Sequence, residues 1–113
     1  MPSLEIIRWG YAADFSVEGG PPDPEDFCVT LYVDTVEGGN SGVTTYQIEV
    51  CTPRGLVSHF DKIAEFSAKI GATPENSIFG RGLLLVKRYD ADLIERAVQQ
   101  AGDNLKYYAV DVS

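Results

Sequence analysis

Apolar and polar positions alternate most strictly over two stretches of the chain. From Phe27 to Val36, the residues Phe27, Val29, Leu31 and Val33 fall on one side and Cys28, Thr30, Tyr32 and Asp34 on the other. From Val43 to Cys51, Tyr46, Ile48 and Val50 oppose Thr45, Gln47, Glu49 and Cys51. A period of two marks a half-buried strand. The Gly-rich run from Glu37 to Gly42 between them is turn chemistry, so the two strands read as an antiparallel hairpin. Both apolar faces must lie on one side of the sheet, which restricts the register to steps of two. One consistent register pairs Val29 with Val50, Leu31 with Ile48 and Val33 with Tyr46. The opposite face then pairs Cys28 with Cys51, Thr30 with Glu49, Tyr32 with Gln47 and Asp34 with Thr45.

Weaker signals surround this hairpin. Leu4 to Trp9 is β-rich and reads as a first strand. Thr52 offers an N-cap oxygen and Pro53 suits the first helical position. Leu56, Phe60, Ile63, Ala64 and Ile70 follow at helical spacing, with Phe66 at the edge of the stripe and Gly71 as the stop. Gly55 is expected to weaken the first turn. A long connection over 72–82 contains Thr73-Pro74-Glu75, read as one helical turn, and Gly80-Arg81-Gly82, read as a tight bend. Leu83 to Val86 is continuously apolar, as in a strand buried on both faces. Asp90 caps a second helix with the stripe Leu93, Ile94, Ala97, Val98 and Ala101, ended by Gly102. Leu105 to Val112 reads as a last strand with Tyr107 and Tyr108 on opposite faces. The order β-β-β-α-β-α-β predicts an α+β fold: a largely antiparallel sheet with two helices packed on one face. The other face, with Thr30, Tyr32, Asp34, Gln47 and Glu49, is then solvated or free to bind.

At 113 residues, with 44% hydrophobic and 23% charged, the chain fits a single domain over 1–113 and not a disordered segment. No apolar run approaches the roughly 20 residues of a membrane helix. The start, Met1 to Glu5, lacks the pattern of a secretory signal, so a cytoplasmic location is expected, with both cysteines reduced. Net charge is −8, and its distribution matters more than its size. Residues 1–50 hold nine acids and one base, Arg8, whereas 51–113 hold eight of each. Four of the acids, Glu18, Asp23, Glu25 and Asp26, sit in the Gly- and Pro-rich loop 16–26. Such a half repels phosphates, which argues against nucleic acid, and attracts a basic partner.

Catalytic sets are hard to assemble. His59 is the one histidine, eight residues from Cys51 across a strand-to-helix turn, and Ser58 is merely its neighbour. Cys28 and Cys51 have no zinc spacing, the loop acids match no calcium-loop pattern, and the glycines match no phosphate loop. No feature locates a carboxylate pair with divergent environments. The sequence therefore predicts no enzyme, no metal and no cofactor. The 12 aromatic residues include tyrosines beside acids, which are good protein-interface material.

The stretch Phe27 to Leu56 resembles the Imm8 family of bacterial immunity proteins. An acidic, Pro-containing loop leads into a Phe-Cys strand (Asp23-Pro24-Glu25-Asp26-Phe27-Cys28). The next strand ends in Val50-Cys51-Thr52-Pro53 at the start of a helix. Gly82-Leu83-Leu84-Leu85-Val86 followed by Arg88-Tyr89-Asp90 is similar to the family's later signature. One departure stands out. The family pattern has Trp-Leu after a Thr-Pro-basic triplet, where this chain has Gly55-Leu56, which leaves Phe60 to anchor the helix. The resemblance implies a binder that neutralises a cognate toxin domain and turns over no substrate.

Together these readings predict capture of a basic toxin groove by an acidic surface, with no nucleic acid or membrane partner. The candidate contacts are Asp23, Glu25 and Asp26 in the loop, and Tyr32, Asp34 and Glu49 on the polar sheet face. The competing expectation is a small-ligand-binding or regulatory α+β domain with a pocket between sheet and helices.

Overall fold

The computed structural model describes residues 4–11, 21–37, 42–69, 77 and 82–112. Its centre is the hairpin of β2 (Cys28–Glu37) and β3 (Thr44–Cys51), in the register that alternation predicts, from Cys28 opposite Cys51 to Asp34 opposite Thr45. That register places Val29, Leu31, Val33, Ile48 and Val50 on one face, all essentially buried. A slip of one residue would turn every one of them to the other side.

Strand β1 (Leu4–Tyr11) adds antiparallel to β2, with a bulge between Ile6 and Arg8. Ile7 is the extra residue and is half exposed. The bulge shifts the phase, so Leu4 and Ile6 before it and Trp9 and Tyr11 after it all pack on the core. It also turns Arg8 toward the polar face, opposite Asp34. On the other side of β3, the short β4 (Leu83–Leu85) pairs parallel with Glu49–Cys51, and β5 (Val110–Asp111) pairs antiparallel with Tyr46 and Gln47. Among the described residues the result is a five-stranded, mostly antiparallel sheet in an α+β fold.

The helical stretch after β3 is two pieces, α1 (Pro53–Ser58) and α2 (Phe60–Lys69), joined at His59. Thr52 caps α1, its Oγ1 accepting from the Gly55 N–H at 3.0 Å. Helix α3 (Ala91–Ala101) starts at Asp90, whose carboxylate accepts from the Leu93 N–H at 3.2 Å, and stops at Gly102. Gly102 has φ +49°, a conformation glycine adopts at low cost. A 3₁₀ turn (Gly102–Asn104) then leads into α4 (Leu105–Tyr108). No helix of the described residues is long and apolar enough to cross a membrane.

Four sequence expectations need correction. The helices do not share a face. Ile94 and Val98 of α3 join Leu31, Val33 and Ile48 in the core, while Lys62, Glu65 and Phe66 of α2 lie over Thr30, Gln47 and Glu49 on the opposite face. The cause is the parallel pairing of β3 with β4. Parallel neighbours require a crossover, and α2, in its described part, lies over the face away from α3. Residues 105–108 are helical: Leu105 and Ala109, four apart, are both buried, while Tyr107 and Tyr108 are both exposed, a spacing no strand can satisfy. Strand β4 is not buried on both faces, because it is an edge strand and Leu85 is half exposed. Phe60 is no anchor, being 37% exposed; Ile63, Ala64 and Ser67 are the buried residues of α2. The expected Gly71 stop, the turn at Thr73-Pro74-Glu75 and Gly80-Arg81 lie outside the described residues.

Candidate functional site

The acidic loop is a built turn over its described part. The Asp23 carboxylate accepts from the Glu25 N–H at 2.9 Å, and the Asp23 carbonyl accepts from the Asp26 N–H at 3.2 Å. Such an Asx turn replaces backbone pairing with a side-chain acceptor. The turn is tied to the body twice. The Tyr89 N–H donates to the Pro24 carbonyl at 2.6 Å, and the Tyr89 ring meets Phe27 edge-on, centroids 5.7 Å apart. Asp23 and Glu25 are exposed and Asp26 is half-buried. Glu18 lies outside the described residues.

Asp34 is differently placed. Its Oδ2 accepts from Arg8 Nε at 2.8 Å and lies 2.6 Å from Nη2, while Oδ1 accepts from the Thr45 hydroxyl at 2.7 Å. Its side chain is only 14% exposed, against 77% for Arg8. The Thr45 hydroxyl first, and then Arg8, hold its carboxyl below the usual carboxylate range. The one base of the acidic half therefore neutralises one of its acids. Sequence reasoning passed over Arg8 because only the bulge at Ile7 turns it toward Asp34; the Thr45 partner, by contrast, was legible in the register. A depressed carboxyl stabilises the fold above its unfolded pKa, near ~3.9, and that contribution fades as pH falls through the lower folded value. Asp34→Asn is therefore expected to reduce the loss of urea stability between about pH 5 and pH 2, relative to the parent chain. Superimposable pH profiles would contradict the pairing.

Glu49 is not on an open surface. It is 4% exposed, beneath α2, where its Oε1 accepts from the Thr30 hydroxyl at 2.5 Å and its Oε2 lies 3.6 Å from Cys28 Sγ. The expected pairing of Thr30 with Glu49 is present, but the covering helix makes it an interior contact. Tyr32 is 39% exposed and lines a shallow cleft with Arg8, Gly10, Tyr11 and Asp34. Of the six candidate residues, the structure thus sets Asp23, Glu25 and Asp26 on one turn. Tyr32 and Asp34 lie together farther along β2, and Glu49 is removed to the interior.

Three further features bear on function. His59 is exposed at the junction of α1 and α2. Tyr107 and Tyr108 project from α4, with Lys106 Nζ 5.2 Å from the Tyr107 ring centroid. An apolar cavity of about 330 Å³ opens between the sheet and helices α3 and α4, lined by Ile48, Leu83, Leu84, Ala97, Val98, Gln100, Ala101, Leu105 and Tyr108.

A family model described as Immunity protein 8 (Imm8) matches residues 12–108 of the 113. The chain belongs to the Imm8 family. No curated protein and no solved structure matches the sequence. The Imm8 match takes in the acidic turn, the hairpin, β4 and helices α1 to α4, but not β1 or β5. Arg8 therefore lies outside the matched span while its partner Asp34 lies within it. An immunity protein acts against a toxin, so the partner class is a protein toxin, and such families are generally not enzymes.

Proposed function

We propose that this Imm8 protein neutralises a cognate toxin domain by covering a basic groove with the acidic turn at Asp23, Glu25 and Asp26, aided by Tyr32 farther along β2. The observation that carries this reading is the turn itself: exposed carboxylates on a backbone fixed by hydrogen bonds to Asp23 and to Tyr89. Fixed charge steers a basic partner in solution and loses little entropy on contact. Asp26 and Tyr32 are six positions apart along the lead-in to β2 and its first residues, about 20 Å in extended chain at ~3.3 Å per residue. A standard interface buries about 800 Å² per partner, roughly 30 Å across, and spans both. Asp34, neutralised by Arg8, adds shape and hydrogen bonding more than net charge. Glu49 is not part of the contact. The encounter takes place in the cytoplasm, where an incoming toxin would act.

The turn can be discharged without being dismantled. Asp23→Asn keeps the oxygen that accepts from Glu25, and Glu25→Lys reverses an exposed charge. The double variant is expected to associate with the toxin about 10-fold more slowly at low salt and to approach the parent rate at high salt. Equal rates at both salt concentrations would reject the turn as the steering surface. The broader reading is tested by co-expression with the variable C-terminal domain of a secreted protein encoded beside this chain: cells are expected to survive only with the immunity protein present.

The apolar cavity favours a second reading, a small-ligand or regulatory domain. Ligand sites pair an apolar wall with a few orienting polar groups. Among the described residues, Gln100 and the Tyr108 hydroxyl are the polar side-chain groups at this cavity, and none of its lining residues is charged. The toxin reading therefore takes precedence.

A further inference from the structure

The hairpin register brings the two cysteines face to face. Cys28 lies opposite Cys51, with their Sγ atoms 2.7 Å apart and both thiols free. The neighbouring pair, Phe27 and Thr52, is the hydrogen-bonded one, since the Thr52 N–H donates to the Phe27 carbonyl at 3.2 Å. Cys28 and Cys51 thus occupy a non-hydrogen-bonded position, where opposite Cα atoms are about 4.5 Å apart. Disulfides span Cα separations of about 4.4–6.8 Å. We propose that Cys28 and Cys51 form a dithiol–disulfide site, which a small disulfide oxidant closes in the folded chain without rearranging the backbone.

The two sulfurs have distinct roles. Cys51 is fully buried, whereas Cys28 is half-buried and is the sulfur a small oxidant can reach. The three groups form a relay: the Cys51 thiol points to Cys28 Sγ, and the Cys28 thiol points to the Glu49 carboxylate 3.6 Å away. With oxidised glutathione, the Cys28 thiolate attacks one sulfur of the reagent, forming a mixed disulfide and releasing one glutathione thiolate. The Cys51 thiolate then attacks the Cys28 sulfur, closing the bridge and releasing the second. Two cysteine protons and two electrons leave the protein, and two molecules of reduced glutathione carry them. The hydrogen bond to Cys28, followed by burial, holds the Cys51 thiol protonated in the resting pair. In the mixed disulfide the Cys51 thiol stays in line with the Cys28 sulfur, and its proton passes to the departing glutathione thiolate as the bridge closes. A reducing compartment keeps the pair open, and an oxidising one staples β2 to β3 beside the cap of α1.

The test is intact-mass spectrometry of the full native chain after incubation with oxidised glutathione. The parent is expected to lose about 2 Da, to resist alkylation after unfolding, and to recover both thiols with dithiothreitol. Its thermal midpoint should rise on oxidation. Cys51→Ser is expected to stop at a stable glutathione adduct on Cys28, and Cys28→Ser to remain unmodified while folded, as checked by circular dichroism. Two alkylatable thiols in the treated parent, a parent that stops at the adduct, or bridging seen only in urea would each overturn the proposal.

Discussion

Replacing Gly55 by alanine is expected to destabilise the fold by more than about 3 kcal/mol, at the upper end of what single substitutions do. A Cβ at this position would lie 1.8 Å from the Phe27 carbonyl oxygen, 2.5 Å from its carbon and 2.8 Å from the Phe27 nitrogen. Every clashing atom is backbone, so no side chain can swing aside. That backbone is also committed. The Phe27 carbonyl accepts from the Thr52 N–H, and the Phe27 N–H donates to Thr52 Oγ1, which caps α1 through the Gly55 N–H. Moving Phe27 away from the new methyl breaks the lead-in to β2 and the helix cap together. Helix propensity alone predicts the opposite sign, a gain of about 1 kcal/mol for Gly→Ala. The midpoint of urea unfolding, at unchanged slope, decides between them; a stability equal to or above the parent's would show that the close approach is absent.

Gly55 also shows where sequence reasoning stops. As a letter in a helical window it reads only as a weak helix former; its purpose depends on Phe27, 28 positions earlier, just before β2. The hairpin register was legible because alternation in two adjacent strands leaves few ways to bury Leu31, Ile48 and Val50 together. The caps at Thr52 and Asp90 were legible because a cap is local chemistry. Three features were not. The bulge at Ile7 leaves no mark in a strand apolar on both sides of it, and Arg8 was missed with it. The parallel docking of Leu83–Leu85 on β3 is a tertiary choice, and it decides which face α2 covers. Tyr107 and Tyr108 suit a strand by propensity, yet a strand would bury Tyr107 on the same face as Leu105 and Ala109, and its exposure beside those two buried residues selects a helix. At the candidate site, an acidic loop was legible in the glycines and prolines of 16–26, but the Asx turn at Asp23 emerges only in the structure, and the loss of Glu49 to the interior follows from α2 covering that face.

That loss has the second largest expected consequence. Glu49→Lys is expected to destabilise the fold by about 3–5 kcal/mol, enough to unfold a domain of ordinary net stability of about 5–15 kcal/mol under mild denaturant. An ammonium placed there would be nearly dry, would leave the Thr30 hydroxyl without its carboxylate acceptor, and would share its pocket with two cations, Lys62 and Lys69, against one remaining acid, Glu65. Loss of toxin capture in that variant would follow from unfolding and would say nothing about a contact surface. Glu49→Gln separates the two roles. Its carbonyl oxygen still accepts from Thr30, and its volume is unchanged, so the chain should fold with a modest drop in urea midpoint. If the acidic turn does the steering, the folded Glu49→Gln protein should capture toxin at the parent rate with the parent salt dependence, while Asp23→Asn with Glu25→Lys slows it. The reverse pattern, slow capture by the folded glutamine variant and parental rates for the turn variant, would move the contact to the β3 face and require α2 to lift away from the sheet on binding.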